Sequence, residues 1–167
     1  YLDAHLPGSP GVNNNLVFDN EFQCGPGSNY IDYCRPFGVD GFASGAAEGN
    51  VFFHNSMHDF SVAAQVNGNN NYVVANQCHE VFNSKARRFP TGQCFSVQPY
   101  QWSRDNVIAN NTMANTADVA IQFIPGKAGV SSGHQVTGNI MYGCGLAAKA
   151  TRRDACIAVA LDDSVGP

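Results

Sequence analysis

Polar and apolar positions alternate along this chain in a phrase that returns five times: Asn15–Asn20, Asn50–Asn55, Asn71–Asn76, Asn106–Asn111 and, with His in the opening place, His134–Asn139. Two residues after each opening position stands an apolar residue, Val17, Phe52, Val73, Ile108 or Val136. Two after each closing Asn stands Phe22, Met57, Cys78, Met113 or Met141. Strict period-two placement of β-branched, aromatic and sulfur side chains is the mark of half-buried strands. Both columns are therefore expected to face a core, and the closing asparagines, Asn20, Asn55, Asn76, Asn111 and Asn139, to stack as an amide ladder at the turn between two strands.

A second apolar phrase precedes the first. It begins at Asp3, Gly38, Asp59 and Cys94, each twelve residues before its Asn phrase, and again at Asp118 and Cys156. Its second and fourth positions are mostly apolar (Val39, Phe60, Phe95, Val119 and Ile157; Val62, Val97, Ile121 and Val159), so a third strand per repeat is expected. The shortest repeat, Asn50 to Asn71, is 21 residues, about what three short strands and three turns require. Self-similarity at this period marks a solenoid.

On these phrases the chain resembles the right-handed parallel β-helix superfamily, which includes pectate lyases, polygalacturonases, alginate lyases and epimerases, and phage tailspikes. The resemblance covers nearly the whole chain as a repeat pattern. It implies an all-β, right-handed parallel β-helix solenoid of about five to six coils, here one domain over residues 1–167, either a segment of a longer protein or an uncapped solenoid. The Asn-Thr-Asp and Gly-His-Gly phrases of polygalacturonases and the Asp-Pro-His phrase of alginate epimerases are absent. No catalytic residue therefore carries over by motif, and the fold alone hosts many activities.

Between a closing Asn and the next strand phrase, three repeats carry a long insertion and two do not. Each long insertion spans two cysteines, Cys24 with Cys34, Cys78 with Cys94, and Cys144 with Cys156. Local pairing is the economical reading, with one disulfide tying the base of each loop. Six cysteines without Cys-x-x-Cys spacing favour disulfides over metal, and hence an oxidising, secreted setting. The sequon Asn110-Asn111-Thr112 agrees with secretion. No cofactor motif is present, Ca²⁺ included.

Charged residues make up only 13% of the chain and the net charge is -4, which disfavours nucleic acid as a partner. No apolar run reaches the roughly 20 residues of a membrane span. Six of the nine Lys and Arg residues fall in two of the insertions: Lys85, Arg87 and Arg88 in one, Lys149, Arg152 and Arg153 in the other. With Arg35 in the remaining insertion and His79 at the start of the second, they form a basic set suited to the carboxylates or sulfates of an acidic glycan.

The strand beside the insertions is expected to present His5, Asp40 and Asp59 outward, with His58 at a tight turn and Tyr33 on a loop. For β-elimination or epimerisation of a uronate, Arg87 or Arg88 would neutralise the carboxylate while His58, His5 or Tyr33 moved protons. For hydrolysis, Asp40 and Asp59 would form the acid and base pair. The expectation is thus an extracellular β-helix that binds an acidic polysaccharide and, if an enzyme, cleaves or epimerises it. The alternative is a non-catalytic structural or adhesive module or filament subunit, whose ends would contact further coils or copies. Flat ranks of threonine, which ice binding needs, are missing.

Overall fold

The computed structural model describes residues 2–4, 11–23, 37–41, 47–60, 62–66, 68–81, 93–97, 103–123, 132–146 and 155–159. For residues 2–4, 37–41, 62, 63, 93, 96 and 97 the backbone alone is described. Among the described residues there are sixteen strands and no helix. Sheet A holds β1 (Leu2–Ala4), β4 (Phe37–Gly41), β7 (Val62–Val66), β10 (Gln93–Val97), β13 (Ile121–Phe123) and β16 (Ile157–Val159). Sheet B holds β2 (Leu16–Phe18), β5 (Val51–Phe53), β8 (Tyr72–Val74), β11 (Val107–Ala109) and β14 (Gln135–Thr137). Sheet C holds β3 (Glu21–Gln23), β6 (Ser56–His58), β9 (Gln77–Val81), β12 (Thr112–Thr116) and β15 (Ile140–Tyr142). The chain visits A, B and C in rotation, and every pairing is parallel.

The two apolar columns of the Asn phrase stand as the sequence predicts. Val17, Phe52, Val73, Ile108 and Val136 are opposite one another in sheet B, and Phe22, Met57, Cys78, Met113 and Met141 in sheet C. The three inner members of each column are fully buried and the end members half-buried. With Ala64, Val66, Phe95 and Ile121 of sheet A they form one hydrophobic cluster. Burying a side chain the size of Phe52 or Met57 contributes about 1.5–3 kcal/mol.

The corner between sheets B and C is two residues long. The first, Asp19, His54, Ala75, Asn110 or Gly138, adopts a left-handed φ of 54 to 63° that reverses the chain, and the second is the ladder Asn. Each ladder amide replaces the ligands the bent backbone loses. Asn76 Nδ2 donates to the Phe52 carbonyl (2.9 Å) and to Asn111 Oδ1 (3.0 Å), while its own Oδ1 accepts the Asn55 N–H (2.9 Å) and Asn55 Nδ2 (3.0 Å). The opening position builds a second ladder through Asn15, Asn50, Asn71 and Asn106. At its end His134 takes the place of Asn, and its Nδ1 accepts the Asn106 N–H at 3.3 Å. That acceptor role requires a neutral ring. Burial, which outweighs the opposing influence of Asp105 and a backbone hydrogen bond at Ser103, holds His134 below its ordinary 6.5.

The long segments 24–36, 82–92 and 143–156 each connect sheet C to sheet A, as their spacing implies. Disulfides Cys78–Cys94 and Cys144–Cys156 are present and close loops of 16 and 12 residues, for which chain entropy predicts about 3 kcal/mol each. Cys24 and Cys34 lie outside the described residues.

The register of sheet A differs from expectation. Asp3 lies opposite Asp40 and Ala4 opposite Gly41, so His5 and Asp40 are not the stacked pair that a constant twelve-residue spacing implies. Gly38 lies opposite Gln65 rather than Asp59. The reason is the connection from A to B. Eight residues separate Gly41 from Asn50 and Val97 from Asn106, but only four separate Val66 from Asn71. All the slips are even, and Ala64, Val66, Phe95 and Ile121 are buried, but Ile157 and Val159 of the last strand, expected to face the core, stand 38% and 65% exposed.

Candidate functional site

The outer faces of sheets B and C differ in chemistry because their outward columns do. Sheet B presents Leu16, Val51, Tyr72 and Val107 in one column and Phe18, Phe53 and Val74 in the other, where the next member, Ala109, is buried. Sheet C presents Glu21, Ser56, Gln77 and Thr112, then Gln23, His58 and His79. Of these, Glu21 bonds His58 directly, Gln23 reaches it through Asp59, and His79 stacks on it.

His58 ends β6, directly opposite His79 of β9. Their rings are parallel to within 3° with centroids 5.2 Å apart. Asp59 follows at a φ of 62°, which turns its carboxylate back so that Oδ2 lies 3.0 Å from His58 Nδ1. On the other side of the ring, Glu21 Oε1 of β3 lies 3.3 Å from Nε2. Gln23 Nε2 donates to Asp59 Oδ2 at 2.8 Å and fixes that carboxylate. His79 Nδ1 faces the Glu80 carboxylate at 3.8 Å. The His58 side chain is only 16% exposed while Glu21 is 77% exposed, so the imidazole is sheltered and one of its carboxylate partners is open to solvent.

The electrostatics follow from that geometry. Partial burial pulls the His58 imidazolium down, but hydrogen bonds and charge from Asp59 and Glu21 outweigh it and hold the ring above 6.5. Hydrogen bonds from Gln23 and then His58 hold Asp59 below its ordinary 3.8. A cationic imidazole with both N–H groups donating to carboxylates can release a proton from Nε2 while Asp59 retains and orients Nδ1–H, the division of labour of a triad histidine.

Beside this cluster, at the corner between B and C, lies an open pocket of about 440 Å³ lined by Asp19, Asn20, Glu21, His54, Asn55, Ser56, Ala75 and Gln77. His54 Nδ1 contacts Asp19 Oδ1. Among the described residues, no group of three or more His, Cys, Asp or Glu side chains is arranged to hold a metal ion.

Of the residues singled out from sequence, the structure brings His58, Asp59 and His79 together. Asp59 sits on the turn after β6, not at the head of a sheet A strand, because that strand starts at Val62. Asp40 is in β4, with its backbone alone described. His5, Tyr33, Arg35, Lys85, Arg87, Arg88, Lys149, Arg152 and Arg153 lie outside the described residues. Asn110 of the sequon is exposed at the B–C corner. Sequence reasoning passed over Glu21, Gln23 and His54. Glu21 and Gln23 flank the inward Phe22, as Ser56 and His58 flank Met57, so reading outward neighbours of that column would have found them.

No protein-family model, curated protein or solved structure matches the chain. No helix among the described residues is long and apolar enough to cross a membrane.

Proposed function

We propose that the three parallel sheets are the faces of a right-handed parallel β-helix, and that this is a secreted protein which binds an acidic polysaccharide and performs proton-transfer chemistry on it at the outer face of sheet C. Rotation of the chain through three parallel sheets supports the solenoid, and parallel crossovers are right-handed in about 98% of cases. Two disulfides favour an oxidising compartment.

The observation that carries the chemistry is His58 held between Asp59 and Glu21. In this reading His58 is the general acid for the glycosidic oxygen, Asp59 orients it, and exposed Glu21 is the base. Transfer from Nε2 leaves a neutral imidazole that still donates Nδ1–H to Asp59. The segment bearing Lys85, Arg87 and Arg88 leaves β9 two residues after His79 and is tied back by Cys78–Cys94. In this reading the ammonium of Lys85 and the guanidiniums of Arg87 and Arg88 supply the charge that a uronate or sulfate needs.

The test is incubation with a panel of uronate and sulfated polymers. Binding that weakens with salt is expected, with either an ultraviolet-absorbing unsaturated product or new reducing ends, and His58→Gln should abolish product while retaining binding. Neither binding nor product from any polymer would overturn the reading and leave a structural solenoid.

A further inference from the structure

Sheet B departs from the pattern of a sheet with one wet face. Four of its five strands read Leu-Val-Phe, Val-Phe-Phe, Tyr-Val-Val and Val-Ile-Ala, apolar on both sides, as strands do when both faces are covered, while β14 reads Gln-Val-Thr. Leu16, Phe18, Phe53 and Tyr72 nevertheless stand 41 to 58% exposed on the outer side. Phe18 lies directly opposite Phe53, and Tyr72 is on the next strand.

The dimensions of this strip limit its occupant. Three-residue strands give it a width of about 10 Å, and four strands at about 4.8 Å give an area of about 200 Å², far below the roughly 800 Å² per partner of a stable protein interface. It has the width of one extended chain. At its C-side edge the His54 ring lies 5.7 Å from that of Phe53, and past it opens the 440 Å³ pocket, a volume within the range of small-ligand sites. With Asn20 and Asn55 committed to the ladder and Glu21 to His58, the polar groups that a ligand meets are the Asp19–His54 pair, Ser56 and Gln77.

A flat apolar strip running into a pocket of hydrogen-bonding groups matches a sugar, which has C–H faces and hydroxyl edges. The sign of charge selects among sugars. Among the described residues no Lys or Arg lines the pocket, while Asp19 does; its carboxylate accepts hydroxyl protons and repels a uronate or sulfate. We propose that the B–C corner is a subsite for an uncharged sugar unit, whose ring stacks on Phe53 and whose hydroxyls donate to Asp19 and to the side-chain oxygen of Gln77. This rests on the polysaccharide reading above and narrows it to a heteropolymer, in which an uncharged unit is held beside the one that meets His58.

The experiment is titration of the isotope-labelled chain with neutral oligosaccharides (gluco-, xylo-, manno- and galacto-series) and, separately, with uronate oligomers, followed residue by residue by NMR. At least one neutral series should shift Phe53, His54 and Gln77, with an affinity unchanged by salt. Phe53→Ala should weaken it about fivefold to tenfold, the contribution of one stacked ring, and Phe53→Tyr should restore it. Phe53 points away from the core, so an unchanged spectrum elsewhere certifies the fold. If uronate oligomers shift these same residues, or bind elsewhere while no neutral sugar binds, the subsite is overturned and the acidic-polysaccharide reading stands. Neutral binding at the corner without product from any polymer upholds the subsite and sinks the catalysis. A concentration-dependent dimer abolished by Phe53→Ala would overturn it in favour of a second copy. Silence toward all sugars overturns both.

Discussion

Replacing Asn76 by Ala removes one inner rung of the amide ladder, and the structure sets the size of the loss. The Asn76 amide donates to the Phe52 carbonyl and to Asn111 Oδ1, and accepts from the backbone and side chain of Asn55. Asn55 is buried, so its N–H finds no water when the acceptor goes. A stranded buried donor costs about 1–3 kcal/mol, and each of the three further lost bonds about 1 kcal/mol, so Asn76→Ala should destabilise by about 4–6 kcal/mol. Asn20 makes the same kind of bonds, to Phe18 and to Asn55 Oδ1, but at the exposed end, where water replaces them. Asn20→Ala should therefore cost no more than about 1 kcal/mol. Urea unfolding measures both: at a slope of about 1–3 kcal/mol/M, the inner variant should lose well over 1 M in midpoint with the slope unchanged. Equal losses at the two positions would refute the claim that the ladder, and not asparagine's turn preference alone, holds the corner.

His134, whose ring must stay neutral to accept the Asn106 N–H, has a folded value below 6.5. Below about pH 6.5 the unfolded chain binds the proton first, so stability falls from there until the folded value is passed; in urea midpoints from about pH 7.5 to about pH 5, His134→Asn should flatten that part of the profile, and an unchanged profile would contradict the assignment. His58 has the opposite sign: its folded value is raised, so its contribution is full below 6.5 and fades as pH rises through the raised value. Its NMR titration should move down in Glu21→Gln and again in Asp59→Asn. At Gly138, with φ 63°, an added Cβ would meet Asn110 Oδ1 at 2.2 Å, so Gly138→Ala should cost about 1–3 kcal/mol and Asn110→Ala should relieve part of it in a double-mutant cycle, whereas simple additivity would contradict a clash.

The Asn phrase was legible because every place in it answers one local demand. An inward position needs an apolar side chain, the corner needs a left-handed residue, and the next position needs an amide that both donates and accepts. The B–C corner is always two residues, so spacing alone aligns Val17 with Phe52 and Phe22 with Met57. Sheet A was less legible because its link to sheet B shrinks to four residues between Val66 and Asn71, and a chain can shorten a turn without leaving a mark in the strand pattern. The same effect hid part of the site. Asp59 looks like the head of a strand beside Asp40, but its left-handed backbone places it at the end of β6, where it grips His58. Glu21 was missed for another reason: its outward position beside Phe22 is legible, but its role comes from lying one strand away from His58, a contact made across 37 positions of chain. His134 could be read as a worn copy of Asn, and its imidazole nitrogen does replace the missing amide oxygen.

The most direct test of the functional account is to follow the ring signals of His58, His79 and His134 while a uronate oligosaccharide is added to the intact protein at fixed pH. His58 and His79 share the outer face of sheet C, whereas His134 ends the ladder against Phe123. A saturable shift of His58 and His79, weakened by salt and absent at His134, is the predicted result. Binding of the oligosaccharide that leaves His58 and His79 unmoved would contradict the account.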